Sequence, residues 1–289
     1  MRYKLVHKTQ YSYSYQASVC HNAVHLAPRS LTHQTCGRSR LVVNPTPAAM
    51  QERDDYFGNK VHFFAVYQPH SQLTVTAISH VEVAPPPPLP PTSVRWEEVA
   101  ASLLRKPPVC LRAFEFSFDS PNVRRNEALA AYARVSFTPN RPILEAAREL
   151  TARVHADFKF DAKATRVDTP VEEVFELKRG VCQDFAHLQI GCLRSIGLAA
   201  RYVSGYLRTH PPEGKERLVG VDASHAWVSL YCGEAGWVDY DPTNDAIPSE
   251  EHITVAWGRD YSDVCPIQGV FVGGGDYTMA VSVDVAPLS

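Results

Sequence analysis

A run of prolines, Pro85 to Pro88 and Pro90 to Pro91 with only Leu89 between them, divides this chain into two segments whose hydrophobic patterns have different periods. Consecutive prolines fix φ and lack the backbone donor, so no helix or central strand passes through them; an extended polyproline spacer remains. Such a segment can also serve a proline-reading partner, but its position between unlike regions favours a linker. Residues 1–84 are therefore expected to form an N-terminal β domain, 85–92 the linker, and 93–289 a second domain with a C-terminal extension.

Before the prolines the period is two. Tyr11, Tyr13 and Tyr15 alternate with serines; Val61 to Tyr67 and Leu73 to Ile78 are rich in β-branched and aromatic residues. Asn44-Pro45, Gly58-Asn59 and Gln68-Pro69 separate these runs as turns, a pattern that suggests short strands in a small β-sandwich. Beyond the prolines the period becomes helical: Ile143, Ala147, Leu150 and Val154 make one apolar face. Asp168-Thr169-Pro170 reads as the cap of a short helix through Leu177, ended near Gly180. Strands are expected at 199–207, 225–231 and 237–241, with a late one at 278–285. The fold class is α+β.

With Lys+Arg 29 against Asp+Glu 31 and no block of like charge, neither a nucleic-acid groove nor a polybasic membrane surface is indicated. No run approaches the roughly 18 apolar residues of a membrane span, and the alternating start lacks the apolar stretch of a secretory leader; the cytoplasm is the expected location. Seven scattered cysteines (20, 36, 110, 182, 192, 232 and 265) contain no C-x-x-C pair, which disfavours a zinc ribbon or a dithiol redox motif. They read as buried thiols plus one with a chemical task.

Cys182 is the candidate for that task. Residues 183–196 are apolar on nearly all sides, as in a buried helix, and Gly180 breaks the chain just before it. Cys182 should then lie in the first turn, where free N–H groups and the helix dipole stabilise a thiolate and can receive an oxyanion. Asp184 rotates away from it by about 200° and serves as cap or anchor.

His225, Trp227, Ser229 and Tyr231 share one face of a strand, and Trp237, Asp239 and Asp241 one face of the next; residues 232–236 form the hairpin turn. A turn centred on Gly233 sets His225 directly opposite Asp241, and one centred on Glu234 makes them diagonal partners. Both registers keep them on one face. Asp239 competes with Asp241; Asp241 is preferred because Pro242 ends the strand there. The oxygen-rich run Asp239, Asp241, Asn244, Asp245 lacks the glycine and distant glutamate of a calcium loop, and no short-spaced pair suggests zinc. Gly273-Gly274-Gly275 reads as a flexible loop, without the pattern of a phosphate cradle. No metal or other cofactor is expected.

Four segments together resemble the transglutaminase-like superfamily of papain-type fold: Gly180-Val181-Cys182-Gln183-Asp184, the stretch from Arg194 to Tyr206, Ser224-His225-Ala226-Trp227, and Trp237 to Asn244. The order is Cys, His, Asp, with spacings of 43 and 16 residues. Asp55 to Asn59 and Gly258 to Tyr261 resemble the bacterial subgroup with its own N-terminal β domain, often labelled cysteine proteases. The resemblance implies a nucleophile helix packed on an antiparallel sheet, with Cys182 as nucleophile, His225 as base, Asp241 as orienter and Trp227 lining the site. Gln183 beside the cysteine, Trp237 on the His225 face and Tyr206 are expected to complete the substrate pocket, the triglycine loop covering it. A peptide or protein is the expected substrate. Hydrolysis is favoured over amine transfer to glutamine by the excess of water, and a non-catalytic binding module is the rival from another class.

Overall fold

The computed structural model describes residues 1–90, 92–105, 111–209 and 223–288; Pro91, Cys110 and Asp222 lie outside them. The N-terminal segment contributes β1 (Arg2–Val24), β2 (Gln34–Asn44), β3 (Ala49–Asp54), β4 (Lys60–Val66) and β5 (His70–Val83). There follow α1 (Trp96–Leu104), α2 (Leu111–Phe114), α3 (Glu127–Arg134), α4 (Ile143–Asp157), β6 (Lys159–Phe160), α5 (Val171–Leu177), β7 (Arg179–Gly180) and α6 (Cys182–Ser195). The remainder is β8 (Ala200–Leu207), β9 (Ala223–Tyr231), β10 (Trp237–Tyr240), β11 (His252–Gly258), α7 (Tyr261–Val264), β12 (Ile267–Gly273) and β13 (Tyr277–Leu288).

Where short strands were expected at the start, one strand of 23 residues forms, because neither glycine nor proline interrupts it. Its first half pairs with β5 and its second with β4, the register shifting between Ser12 and Ala17. Cys20, Val24, Phe64 and Val66 from one half and Leu41, Val43, Leu73 and Val75 from the other share one buried cluster. The long strand thus folds one sheet onto itself as a sandwich. The chain's last two strands complete it: β13 pairs with the first half of β1 and β12 with the second. In space, then, residues 267–288 join the N-terminal sheet rather than extending the second domain. An unpaired edge of β1 would leave a row of free donors and acceptors, which these strands cover.

The second sheet has the order β10-β9-β8-β11, all antiparallel. One face carries Ala200, Tyr202, Ala226, Val228, Leu230, Val238 and Tyr240, buried with α6 and with Leu150 and Val154 of α4 in one core. The α4 stripe is the expected one. Each fully buried leucine there is worth about 1.5–3 kcal/mol of transfer free energy. The expected cap of α5 is not formed: Pro170 precedes the helix without a side-chain cap, and Asp168 instead pairs with Arg166 at 3.3 Å on the surface. The helix ends at Lys178, whose φ is +54°, two residues before Gly180.

The two sheets are joined by polar contacts from well-defined turns. Asn59 donates to the Trp257 carbonyl at 2.8 Å and accepts from its N–H at 3.0 Å. Gln34 does the same with Thr254, at 2.8 and 2.9 Å. Buried amide groups satisfied in this paired fashion fix orientation as well as proximity.

Candidate active site

Cys182 is the first residue of α6, and Val181 before it is extended. The Asp184 carboxylate reaches back to accept from the Val181 N–H at 2.8 Å and from the Thr165 hydroxyl at 2.6 Å. Burial raises the Asp184 pKa, and these two hydrogen bonds oppose it. Gly180 has a steric reason: a Cβ there would come within 2.6 Å of the Asp184 oxygen. The glycine, aspartate and helix start are therefore one device that presents Cys182 at the free N–H groups of the first turn.

His225 stands on the outer face of β9. Its Nε2 lies 2.8 Å from Asp241 Oδ2, and Cys182 lies near enough to favour its charged form. The hairpin adopts the register with Trp237 opposite Tyr231, which makes His225 and Asp241 diagonal neighbours. Burial works against the His225 charge, but the hydrogen bonds and charges of Asp241 and Cys182 outweigh it and hold the imidazole up to about 10.

Asp241 is fully buried. Its Oδ1 accepts the N–H groups of Thr243 and Asn244 at 2.9 and 3.2 Å, closing the turn after the strand. Its Oδ2 also accepts from Asn244 Nδ2 at 2.7 Å and faces His252 Nε2 at 3.1 Å. Burial pushes its pKa up, yet the histidines and Asn244 hold it below the ordinary carboxylate range. Asp239, the alternative, is taken by the Trp227 indole N–H at 2.9 Å. From α4, Arg148 grips Asp245 through its side chain and its carbonyl, which anchors the turn from behind.

The second histidine on Asp241 was not found from the sequence. His252 starts β11 and shares the outer face only because β11 lies beside β8, a pairing that no local pattern reveals. The ligand atoms of His225, Asp241 and His252 lie within 4.8 Å of one another, a set that could hold a divalent ion. The same atoms are already engaged with each other by hydrogen bonds, and an ion would compete with the His225–Asp241 contact.

Cys182 and His225 open on a cleft of about 290 Å³. One wall is Gln183, Tyr202 and Tyr261; the other is His7, Thr9 and Tyr11 of β1 with Met279 and Val281 of β13. Gln183 is thus placed at the cleft, its amide donating to the Val167 carbonyl at 2.9 Å. The other expected pocket residues are placed elsewhere. Trp227 is fully buried, its ring against His225 and His252 and over Gly205. Trp237 packs on Phe116, Tyr231 and Arg201, at the far end of the outer face. Tyr206 is buried on the opposite face, its hydroxyl 2.9 Å from His7 Nδ1. The triglycine loop, all three residues at positive φ, turns the β12–β13 hairpin against the bend of β1 and does not line the cleft. Shared parity put Trp237 on the correct face, but parity says nothing about distance along it.

Comparison with known proteins agrees with this architecture. Residues 3–82 match the bacterial transglutaminase-like N-terminal region, and residues 130–242 match the transglutaminase-like superfamily. An uncharacterized protein of Mycobacterium tuberculosis is 41% identical over 295 residues, covering 99% of this chain and 93% of that protein. A protein-glutamine gamma-glutamyltransferase of Pseudomonas aeruginosa is 34% identical over 97 residues, 32% of this chain and 14% of that one. Among solved structures, a candidate cysteine protease from Cytophaga hutchinsonii shares the fold, with TM-score 0.76 at 19% identity, covering 100% of this chain and 92% of that one. The chain belongs to the transglutaminase-like superfamily, a thiol-based enzyme family, and carries its bacterial N-terminal region.

Proposed function

We propose that this protein is a cysteine acyl-transfer enzyme that hydrolyses peptide or amide bonds through Cys182, His225 and Asp241. The observation that carries the reading is the His225 imidazole, 2.8 Å from a fully buried carboxylate and sharing one cleft with the helix-start thiol, both of which favour its charged form. With Nε2 committed to Asp241, Nδ1 is the nitrogen left for the sulfur. Cys182 thiolate adds to the carbonyl carbon, and the oxyanion is received by the Cys182 N–H and one further donor. His225 gives its proton to the departing amine as the C–N bond breaks, leaving a thioester. Water then adds, its proton passing to His225, and the acid is released as thiolate and imidazolium reform. Asp241 keeps one tautomer and orientation of the ring throughout.

Water is favoured over an amine because no Asp or Glu lines the cleft among the described residues, so nothing there holds a lysine ammonium. The amine-transfer reading is supported by the apolar wall of Ile267, Met279 and Val281, which restricts water, and by the match to the Pseudomonas protein. A purely binding role leaves the His225–Asp241–Cys182 arrangement without a purpose. We further propose a reducing, cytoplasmic setting, since the six described cysteines are all free.

The deciding experiment incubates the protein with a panel of peptide and glutamine-containing substrates and maps adducts by mass spectrometry. A thioester on Cys182, resolved mainly to free acid in the presence of a millimolar primary amine, supports the proposal. Amide as the main product replaces hydrolase by transglutaminase. No adduct from any substrate removes the catalytic reading.

A further inference from the structure

Away from Cys182, the outer face of the second sheet carries a stack that the proposed reaction does not use. Arg201 of β8 has its guanidinium carbon 3.7 Å from the ring centre of Trp257 on one neighbouring strand and 4.2 Å from that of Trp237 on the other side. Arg29, from the N-terminal segment, lies 3.6 Å from the Trp257 ring as well. Cation, indole, cation, indole follow one another across the face, and such pairs are attractive when desolvated.

Stacking satisfies the faces of a guanidinium but not its five N–H donors, which lie in its plane. Arg201 makes no hydrogen bond or ion pair among the described residues, and its Nε is buried without an acceptor. Burial works against its charge, Asp239 supports it and Arg29 opposes it further. A guanidinium nonetheless remains cationic at neutral pH. Arg201 borders a cavity of about 610 Å³ between the sheet and the Asp55–Gly58 turn. Arg112 stands exposed at that cavity, likewise without a hydrogen bond or ion pair among the described residues.

The two carboxylates of this cavity are already engaged. Glu115 accepts from the Tyr56 hydroxyl at 2.7 Å. Asp55 accepts from the Phe57 and Asn59 N–H groups, each at 2.8 Å, and from Asn59 Nδ2 at 2.7 Å. Three arginines thus line the space with two carboxylates, each already accepting hydrogen bonds from protein donors, so positive charge is in excess there. The volume is within the few-hundred-Å³ range of small-ligand sites.

We infer that this cavity is a second binding site, distinct from the Cys182 cleft, for a carboxylate-bearing peptide segment, with Arg201 and Arg112 taking the carboxylate and Trp237 and Trp257 flanking the chain. A planar carboxylate matches the guanidinium fork, and the aromatic walls suit the apolar part of an extended peptide. The inference does not depend on what Cys182 does.

The test is calorimetric titration of the whole protein with a blocked poly-glutamate peptide, a matched blocked poly-glutamine peptide, and inorganic phosphate. Saturable binding of poly-glutamate alone is expected, with affinity lowered about tenfold or more by Arg201→Gln and about threefold by Arg112→Ala. Arg201→Lys should recover only part, since an ammonium lacks the fork. Cys182→Ser should bind as tightly as the parent protein. Equal affinity for poly-glutamine or for phosphate overturns the assignment, as does loss of binding in Cys182→Ser. If Arg201→Gln does not fold, unchanged affinity in the exposed Arg112→Ala variant overturns it as well.

Discussion

The two faces of the four-stranded sheet solve opposite problems with the same backbone. The inner face, with Ala226, Val228, Leu230 and Val238, is buried against α6 and α4 and needs little beyond removal of apolar area from water. The outer face carries Arg201, His225, Trp227, Ser229, Trp237, Asp239, Asp241 and His252 in its alternate positions. Several of these are buried as completely as the leucines behind them; Asp241 and Trp227 are each 0% exposed. Burying such groups costs several kcal/mol apiece unless partners are supplied. Around Asp241 the partners are therefore numerous: five donors converge on it, and the Trp227 indole finds Asp239, whereas Arg201 Nε and Ser229 Oγ on the same face are buried without a hydrogen-bond partner among the described residues. The polar cluster around Asp241 is held by mutual pairing, so that altering one member changes the electrostatics of the rest, whereas the inner face responds to volume.

The largest break is expected at the thiol and its base. Cys182→Ala and His225→Ala should each lower turnover by about 10⁴-fold or more while the protein stays folded, measured by thioester formation alongside circular dichroism. Asp241→Asn, which preserves volume and removes charge, should cost about 10³–10⁴-fold; Asp239→Asn should cost far less. Equal losses for the two aspartates would mean that the pairing on the outer face is not resolved residue by residue. The pH dependence has a definite sign. His225 is raised from 6.5 to about 10, so its pairing stabilises the fold fully below 6.5 and that contribution is lost as pH climbs toward 10. Asp241 is lowered from 3.8, so its contribution is present above that value and lost as pH falls below it. The activity profile should accordingly hold to an alkaline limb near 10, and Asp241→Asn should bring that limb down.

Stability separates the faces next. A Cβ at Gly205 would lie 2.2 Å from the Ile253 carbonyl and 2.5 Å from the Trp227 ring. Gly205→Ala should cost about 2–4 kcal/mol in denaturant unfolding, because backbone on one side and a fully buried indole on the other leave no room to adjust. A conservative change on the inner face, Ile190→Val in α6, should cost about 0.5–1.5 kcal/mol and leave the alkaline limb in place. If Ile190→Val moved the limb, packing on the inner face and electrostatics on the outer face would be coupled.

The same contrast explains what the sequence disclosed. The α4 stripe, α6 and the shared parity of His225 and Asp241 were legible because they rest on local periods of 3.6 and 2, which the residues display directly. Cys182 at a helix start followed from Gly180 and the apolar run after it. What was not legible depends on which strands become neighbours. His252 reaches Asp241 only through the β8–β11 pairing. The wall of the cleft from β1 and β13 joins residues more than 260 positions apart, Thr9 with Val281 being one register pair. Trp237 and Trp227 were placed on the right face but not at the right place along it. The cap at Asp168 failed for a local reason: Pro170 itself takes the cap position.

His252 offers a smaller test. It is one of three side chains on Asp241 Oδ2, so His252→Gln, which keeps an N–H donor, should lower turnover about threefold, and His252→Ala about tenfold. The binding of substrate should change little in either, since His252 does not line the cleft. A loss as large as that of Asp241→Asn would make His252 part of the reacting set rather than a support for it.

The smallest expected effect lies where the N-terminal sheet meets the cleft. Met279 and Val281 belong to β13, remain 57% and 49% exposed, and line the cleft that holds Cys182. Their exposure means that truncation removes little buried area, so Met279→Ala and Val281→Ala should each change folding stability by less than about 1 kcal/mol. They touch neither His225 nor Asp241 by any hydrogen bond, so the chemistry of the thioester should survive. What they supply is an apolar surface for the substrate chain and a barrier to solvent. Loss of one such side chain should raise KM about two- to threefold with kcat nearly unchanged, the signature of binding shared by ground state and transition state. The partition of the thioester should shift toward water by a similar factor when an amine competes, because a bound amine wins only through positioning. If kcat fell and KM stayed constant, the wall would be shaping the reacting geometry itself, and the N-terminal sheet would have to be counted with the catalytic face rather than beside it.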